Sequence, residues 1–192
     1  MRTVRDLLIQ RAARLQEWPA LTAPGWGTLR YPAFRNRVDA VALGLMAAGA
    51  PVGAPRWCAL GAPWDWIAEV ACASCGLRWS PAGAAVPPEI LGGPAFNAEA
   101  GRQPYHDRER QVLADTPFSG ALTHGELLAR LARANRRLGW DHTTEVRLPL
   151  RDLATPEVRA ALWSALFAGA HAVLDTAPAD WRSEAFQGIL QA

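Results

Sequence analysis

A chain of 192 residues is long enough to bury one sizeable hydrophobic core, so one domain is expected rather than two. Half of the residues are apolar and a fifth are charged, which excludes a disordered or a fibrous protein. All 20 basic residues are arginines, and the net charge of +2 is too small to indicate a nucleic-acid partner.

The N-terminal segment carries charges at Arg2, Arg5 and Asp6, where a secretory signal needs an unbroken apolar stretch. The longest uncharged run, 40–55, is interrupted by glycines and by Pro51, so it does not predict a membrane span. Three cysteines do not make a disulfide framework, in agreement with a reducing compartment. We therefore expect a soluble, cytoplasmic protein with no membrane partner.

The first half of the chain predicts a helix, a hairpin and a second helix. Thr3 as an N-cap, with Asp6 in the first turn, predicts a helix over about residues 3–16. The segments 19–23 and 28–31 flank a glycine-rich turn and predict a short N-terminal hairpin. Pro32 is typical of a helix start, and the apolar stripe that follows it ends at Gly49.

A strand over 56–60, a buried helix over 64–75 and a strand over 77–80 follow. This order is a βαβ unit, which requires parallel strands and favours a right-handed crossover. The predicted fold class is therefore α/β, with mainly parallel βαβ sheets, helices on both faces and the short N-terminal hairpin.

The segment 81–115 is rich in proline and glycine and predicts a connection with one short helix over 107–114. We expect 1–192 to be a single domain whose lobes, about 1–85 and 111–192, are joined by this connection.

The second lobe predicts helices and strands in alternation. The run Thr123–Glu126 is a capping box that starts a helix ending at Gly139. A strand over 145–150, a helix capped by Thr155, a strand over 171–174 and a last amphipathic helix over 180–190 complete the series. We interpret the arginines between 130 and 137 as the solvated face of their helix.

Segments in both lobes resemble the N-terminal region of the adenylate-forming superfamily. They are 29–49, 52–53, 66–76, 119–128, 148–150 and 165–174. That family includes acyl-CoA synthetases, luciferases and the adenylation domains of peptide synthetases. Its Gly-Asp and Ala-Gly-Ala motifs correspond here to Gly53-Ala54 and Cys75-Gly76-Leu77, and its longer central stretch corresponds to the short connection 81–115. The resemblance covers a shortened N-terminal portion only.

Active members of this family carry a phosphate loop, Thr-Ser-Gly-Thr-Thr-Gly-x-Pro-Lys-Gly, just before the helix that starts here at Thr123. This chain has one glycine and no lysine between Asp115 and Leu122, and the Asp115 carboxylate would repel a triphosphate. The resemblance therefore implies the remains of a nucleotide or substrate loop at Ser119, Gly120, Thr123 and His124. It implies no catalytic residue, and we expect no metal ligand.

The family's metal and adenine contacts, and its C-terminal catalytic lysine, correspond to positions after Ala192. The resemblance thus implies a truncated, catalytically inactive, AMP-binding-like protein, a pseudoenzyme that serves as an accessory or interaction subunit. The alternatives are one part of a split AMP-forming acid–thiol ligase completed by another chain, and a non-catalytic binder of an acyl chain or small molecule. We expect a protein partner or a homodimer. We expect no cofactor, with ATP and Mg²⁺ required only by the split ligase.

Three other sets of residues are of types that can form redox, catalytic or ligand-binding sites. Cys72 and Cys75 have the spacing of a redox pair, but their apolar helix favours buried core thiols. Asp115, Ser119 and His124 are triad residue types without the Gly-x-Ser-x-Gly turn that hydrolases use. His124 is open to two interpretations, a residue in the first turn of a helix and a residue of a vestigial pocket.

Overall fold

The computed structural model describes residues 1–58, 61–80, 82–91, 105–150, 155–176 and 181–191. Its first elements are helix α1 (Val4–Arg14), strands β1 (Pro19–Ala23) and β2 (Gly27–Arg30), and helix α2 (Tyr31–Ala47). The β1–β2 pair is antiparallel, so the predicted hairpin is confirmed.

The predicted βαβ unit is also confirmed. Strand β3 (Pro55–Trp57), helix α3 (Trp64–Ser74) and strand β4 (Arg78–Trp79) follow in the chain, and β3 pairs with β4 in parallel. Strand β5 (Ala84–Ala85) pairs on the other side of β3, again in parallel, before the short helix α4 (Pro88–Leu91). A Cβ on Gly83 would lie 2.5 Å from the backbone nitrogen of Arg56, so only glycine lets β5 approach β3 this closely.

The second half begins with a helical turn at 105–109 and a small hairpin of β6 (Pro117–Ser119) and β7 (Leu122–Thr123). Helix α5 (His124–Leu138), strand β8 (Glu145–Pro149), helix α6 (Pro156–Ala168) and strand β9 (His171–Asp175) then alternate. The chain goes on to a 3₁₀ turn at Ser183–Phe186.

The largest sheet combines strands from both halves of the chain, in the order β2-β1-β9-β8. Strand β9 lies parallel to β1 on one side and to β8 on the other. One hydrophobic core extends through both halves, from Val4 to Ile189. The division into two lobes stays a prediction. The largest sheet and the hydrophobic core both contain residues from each predicted lobe.

A buried charge pair links the two halves inside this core. Glu69 on α3 is 2% exposed, and its carboxylate accepts hydrogen bonds from Arg159 Nε at 2.7 Å and Nη2 at 2.8 Å. The indole Nε1 of Trp163, also fully buried, donates to the same carboxylate at 2.7 Å. Because the Glu69 carboxylate accepts three hydrogen bonds, two of them parallel bonds from the Arg159 guanidinium, the desolvation of the pair is offset.

Two local predictions were wrong, and a third was confirmed only in part. The described helical residues of the connection are Pro88–Leu91 and 105–109, so the helix predicted over 107–114 ends five residues early. The last hydrogen bonds of this turn run from the N–H groups of Gln111 and Val112 to the Arg108 carbonyl. Thr155 is the N-cap residue of α6, as predicted, but its side chain makes no capping hydrogen bond.

The described part of the predicted helix 180–190 is a 3₁₀ turn followed by irregular chain. Gly188 has a φ of +75°, which interrupts a helix, and Arg130 of α5 donates to the carbonyls of Gly188 and Ile189. Those carbonyls therefore bind a side chain rather than the next helical turn. Asp180 lies outside the described residues.

Candidate functional site

The stretch that corresponds to the phosphate loop folds as a tight β-hairpin. Strands β6 and β7 pair antiparallel, with Pro117 opposite Thr123 and Ser119 opposite Leu122. Gly120, at the turn, has a φ of +57°, a conformation that favours glycine. The single glycine of the loop is thus used to turn the chain.

Thr123 and Glu126 close the start of helix α5 on itself. The Glu126 N–H donates to Thr123 Oγ1 at 3.2 Å, and the Thr123 N–H donates to Glu126 Oε2 at 2.9 Å, so the predicted capping box is confirmed. The hydrogen bonds from Thr123 hold the pKa of the exposed Glu126 carboxyl below its ordinary value. The carboxylate is therefore ionised at neutral pH, and its negative charge lies at the Thr123 N–H, at the start of the helix.

The next two backbone donors of the same turn are bound by the chain that precedes the hairpin. The His124 N–H donates to the Thr116 carbonyl at 3.1 Å, and the Gly125 N–H donates to the Ala114 carbonyl at 2.7 Å. An anion site at a helix start depends on such N–H groups being unoccupied. Here each N–H from Thr123 to Glu126 already has an acceptor within the protein.

His124 is fully buried, with 0% of its surface exposed, in edge-to-face contact with Phe118. Its Nδ1 accepts a hydrogen bond from the Val4 N–H at 3.3 Å, which joins the start of α1 to the start of α5. Burial lowers the pKa of the ring to about 4, so the histidine is neutral at physiological pH. With Nδ1 as the acceptor, the proton lies on Nε2, which has no hydrogen-bond partner among the described residues.

Ser119 and His124 do not form a nucleophile–base pair. The Ser119 hydroxyl donates to the Trp79 carbonyl at 3.3 Å, and neither ring nitrogen of His124 bonds to it. The backbone therefore brings Ser119, Gly120, Thr123 and His124 onto one hairpin and helix start, but the three side chains have separate structural partners.

The two cysteines of helix α3 and its end, Cys72 and Cys75, are buried core thiols, as their apolar helix predicts. Cys72 and Cys75 are each 0% exposed, and Cys75 Sγ donates to the Cys72 carbonyl at 3.6 Å. Burial raises the pKa of Cys75 to about 12 and that of Cys72 well above its ordinary value, so both remain protonated thiols. Among the residues that the structure describes, no group of three or more His, Cys, Asp or Glu is placed to hold a metal ion.

The far half of α5 carries a set of residues whose arrangement the sequence did not reveal. Together with the segment 187–191, the arginines of this helix line an open groove of about 870 Å³. The arginines are Arg130, Arg133, Arg136 and Arg137. Their spacing of three, three and one residues was visible in the sequence, but the wall of the groove comes from residues at least fifty positions away.

No family model matches this chain, and no curated protein matches it. Solved structures do match its fold. The N-terminal subdomain of NpsA from Klebsiella oxytoca, in complex with anthranilyl-AMSN, matches with a TM-score of 0.66 and 19% identity over 96% of this chain and 57% of that one. The N-terminal domain of FACL13 from Mycobacterium tuberculosis, bound to an inhibitor, matches with a TM-score of 0.66 and 13% sequence identity. The match covers 92% of this chain and 57% of that one.

VinN in complex with L-aspartate matches with a TM-score of 0.65 and 13% sequence identity, over 90% of this chain and 62% of that one. The chain thus spans 57% to 62% of the length of these three structures. At these identities the match concerns the fold, and it confirms the resemblance at that level. The protein has the α/β fold of the N-terminal part of an adenylate-forming domain.

Among the described residues, no helix is both long enough and apolar enough to cross a lipid bilayer.

Proposed function

We propose that this protein is a non-catalytic relative of the adenylate-forming enzymes that acts as an accessory or interaction subunit. The observation that supports this function is the start of α5. Its backbone donors from Thr123 to Glu126 are bound by Thr116, by Ala114 and by the capping box itself. The fold is retained, while the phosphate-binding chemistry of that helix start is replaced by internal hydrogen bonds.

The electrostatics of the hairpin favour the same function. The ionised Glu126 carboxylate and the exposed Asp115 both lie near the helix start, and the whole chain offers no lysine to neutralise a triphosphate. Stabilisation of phosphoryl charge by cations and unoccupied donors is the main contribution of a nucleotide-activating site. Adenylation by this chain alone is therefore not expected.

A thermal-shift titration with Mg-ATP tests the proposal. A ligand that binds only the folded state adds RT ln(1 + [L]/Kd), about 2.7 kcal/mol at a hundred times Kd, so a binder would shift the melting temperature clearly. We expect no shift up to millimolar Mg-ATP and no carboxylate-dependent ATP–pyrophosphate exchange. A concentration-dependent shift, or exchange above that of a heat-inactivated control, would contradict the proposal. Exchange that appears only after a second chain is added would indicate the split ligase.

A second candidate function is small-molecule binding in a cavity between α1, the end of α3 and the segment 109–115. The cavity has a volume of about 500 Å³ and is lined partly by Ser74, whose buried hydroxyl has no hydrogen-bond partner among the described residues. Such an unsatisfied group favours a polar ligand or an ordered water. Native mass spectrometry of protein purified from cells should show a retained ligand, lost in Ser74→Ala, if this candidate is correct.

A further inference from the structure

The outward face of helix α5 carries positive charge, and no acidic side chain that the structure describes forms an ion pair with it. The opposite face is buried in the core through its leucines, and the only acid of the helix, Glu126, is engaged in the capping box. The outward face presents the four arginines at positions i, i+3, i+6 and i+7, which span about 10 Å of helix. We refer to Arg130, Arg133, Arg136 and Arg137 as the arginine face.

This arrangement is unfavourable for the isolated helix. Like charges three or four residues apart repel each other, and Arg133 has such a neighbour at Arg130, Arg136 and Arg137. The helix dipole favours Arg136 and Arg137, which lie in the last turn, but it does not favour Arg133 in the middle. Repulsion between like charges that no described ion pair offsets is typical of a surface that contacts another molecule.

The partners of the four guanidinium groups differ. Arg130 is half-buried and donates to the carbonyls of Gly188, at 3.1 Å, and Ile189, at 3.3 Å, which fixes the wall of the groove. Arg133, Arg136 and Arg137 are exposed and make no hydrogen bond or ion pair with any residue that the structure describes. Three guanidinium groups therefore face the groove with their donors available.

The chemistry of the groove selects among anionic partners. A guanidinium binds a carboxylate through two parallel hydrogen bonds, and the amides of Gln187 and Gln191 add further polar lining. None of the described residues that line the groove is aromatic, so a base would have no ring to stack on, and the net charge of the chain is only +2. Both facts disfavour nucleic acid. Its one large apolar lining residue is Ile189, which is too little apolar surface for a membrane.

We infer that the arginine face docks an acidic α-helix of a partner protein, with glutamates or aspartates at i, i+3 or i+4, and i+7 meeting the arginines at the same spacing. This docking site rests on the proposed accessory function and identifies the surface that performs it. The affinity is electrostatic in origin, so it falls as ionic strength rises.

The test uses two labelled alanine-based helical peptides of identical composition. One carries four glutamates on a single helix face, and the other distributes them around the helix. Fluorescence anisotropy with the full chain should show tighter binding of the one-faced peptide, weakened by added salt. Arg133→Ala/Arg136→Ala/Arg137→Ala should lose about tenfold in affinity for it, the sum expected for three exposed ion pairs.

The matched control is Arg14→Ala/Arg37→Ala/Arg110→Ala, which removes the same charge from exposed arginines outside the groove and should bind as the unmodified chain does. A double reversal, Arg133→Glu/Arg137→Glu, should prefer a one-faced lysine peptide. Equal binding of both glutamate peptides, an equal loss in the control variant, no binding at all, or tighter binding of a single-stranded oligonucleotide or of anionic vesicles would each overturn the inference.

The two proposals fail in different ways. If Mg-ATP binds while the peptide results hold, the docking surface stands and the accessory function is wrong. If Mg-ATP does not bind and the peptides do not discriminate, the accessory function stands and this surface is wrong.

Discussion

The two ends of helix α5 differ in how their polar groups are used. At the first turn, each backbone donor from Thr123 to Glu126 is bound within the protein. Toward the last turns, the exposed guanidinium groups of the arginine face have no partner among the described residues. The resemblance to adenylate-forming enzymes directs attention to the first turn, whereas the unoccupied hydrogen-bonding capacity lies at the other end.

The same contrast separates charges that stabilise the fold from charges that do not. Glu69 is buried, Arg159 is mostly buried with 14% of its side chain exposed, and the two are bound to each other, so removing one leaves the other largely desolvated and unpaired. Arg133 is exposed and repelled by its neighbours, so its removal leaves no charge unpaired. Four substitutions test this contrast.

The largest effect is expected for Glu69→Ala. It leaves the Arg159 guanidinium and the Trp163 N–H buried without their acceptor, and breaking a buried pair in this way costs about 3–5 kcal/mol of unfolding free energy. Urea denaturation followed by fluorescence measures the loss. The control Glu69→Leu/Arg159→Met replaces both charges by apolar groups and should be more stable than Glu69→Ala. A loss below about 1 kcal/mol in Glu69→Ala would show that the pair is solvated.

The next effect is the pH dependence that His124 produces. Its pKa is about 4 in the folded protein and about 6.5 when unfolded, so the unfolded state takes up the proton first as pH falls. Above about pH 6.5 His124 has no effect, and between that pH and about 4 the free energy of unfolding should decrease by up to about 3 kcal/mol.

The matched control is His124→Asn, whose side-chain oxygen can still accept from the Val4 N–H but does not titrate. Urea denaturation of both proteins at about pH 7 and about pH 5 should show a steeper decrease for the histidine form. His171, whose pKa burial also lowers, is present in both proteins and cancels in the difference. Parallel pH profiles would mean that His124 is reached by solvent.

A smaller effect is expected for Thr123→Ala, which removes the capping hydroxyl of α5. Loss of such a cap costs about 1 kcal/mol, and Thr123→Ser, which keeps the hydroxyl, should restore most of it. Thermal unfolding measures both variants. The Thr123→Ala variant should still show no Mg-ATP shift, because the Thr116 and Ala114 carbonyls continue to occupy their donors. A shift that appears only in this variant would show that the capping box alone closes a working anion site.

The smallest effect, and one of opposite sign, is expected for Arg133→Ala. The substitution removes three like-charge contacts and introduces a strong helix former, so stability should rise by a few tenths of a kcal/mol, about 0.5 at most. Thermal unfolding at low ionic strength measures the gain. A loss of about 1 kcal/mol or more would mean that Arg133 has a stabilising partner inside the protein.

The elements that the sequence predicted well are those determined by neighbouring residues. The N-cap at Thr3, the capping box at Thr123, the helix end at Gly139 and the βαβ unit all depend on contacts within a few residues or on one short crossover.

The features that the sequence did not predict depend on distant contacts. His124 is buried because the start of α1, some 120 residues away, covers it. The segment after Trp181 has the apolar spacing of a helix. It does not form one, because Arg130 donates to the Gly188 carbonyl and Gly188 has a positive φ that interrupts a helix. The arginine face was visible as a pattern, but it becomes a groove only when that same segment packs beside it.

The central position of β9 has a consequence for synthesis of the chain. Strand β1 leaves the ribosome early, yet one of its two neighbours, β9, comes about 150 residues later. Until then, Leu21 and Ala23 lie on an open strand edge, and the Tyr31 hydroxyl lacks the Ala170 carbonyl that accepts its hydrogen bond. Nascent chains that stop before β9 should therefore bind chaperones or aggregate, and completion of the sheet should be a late step of folding.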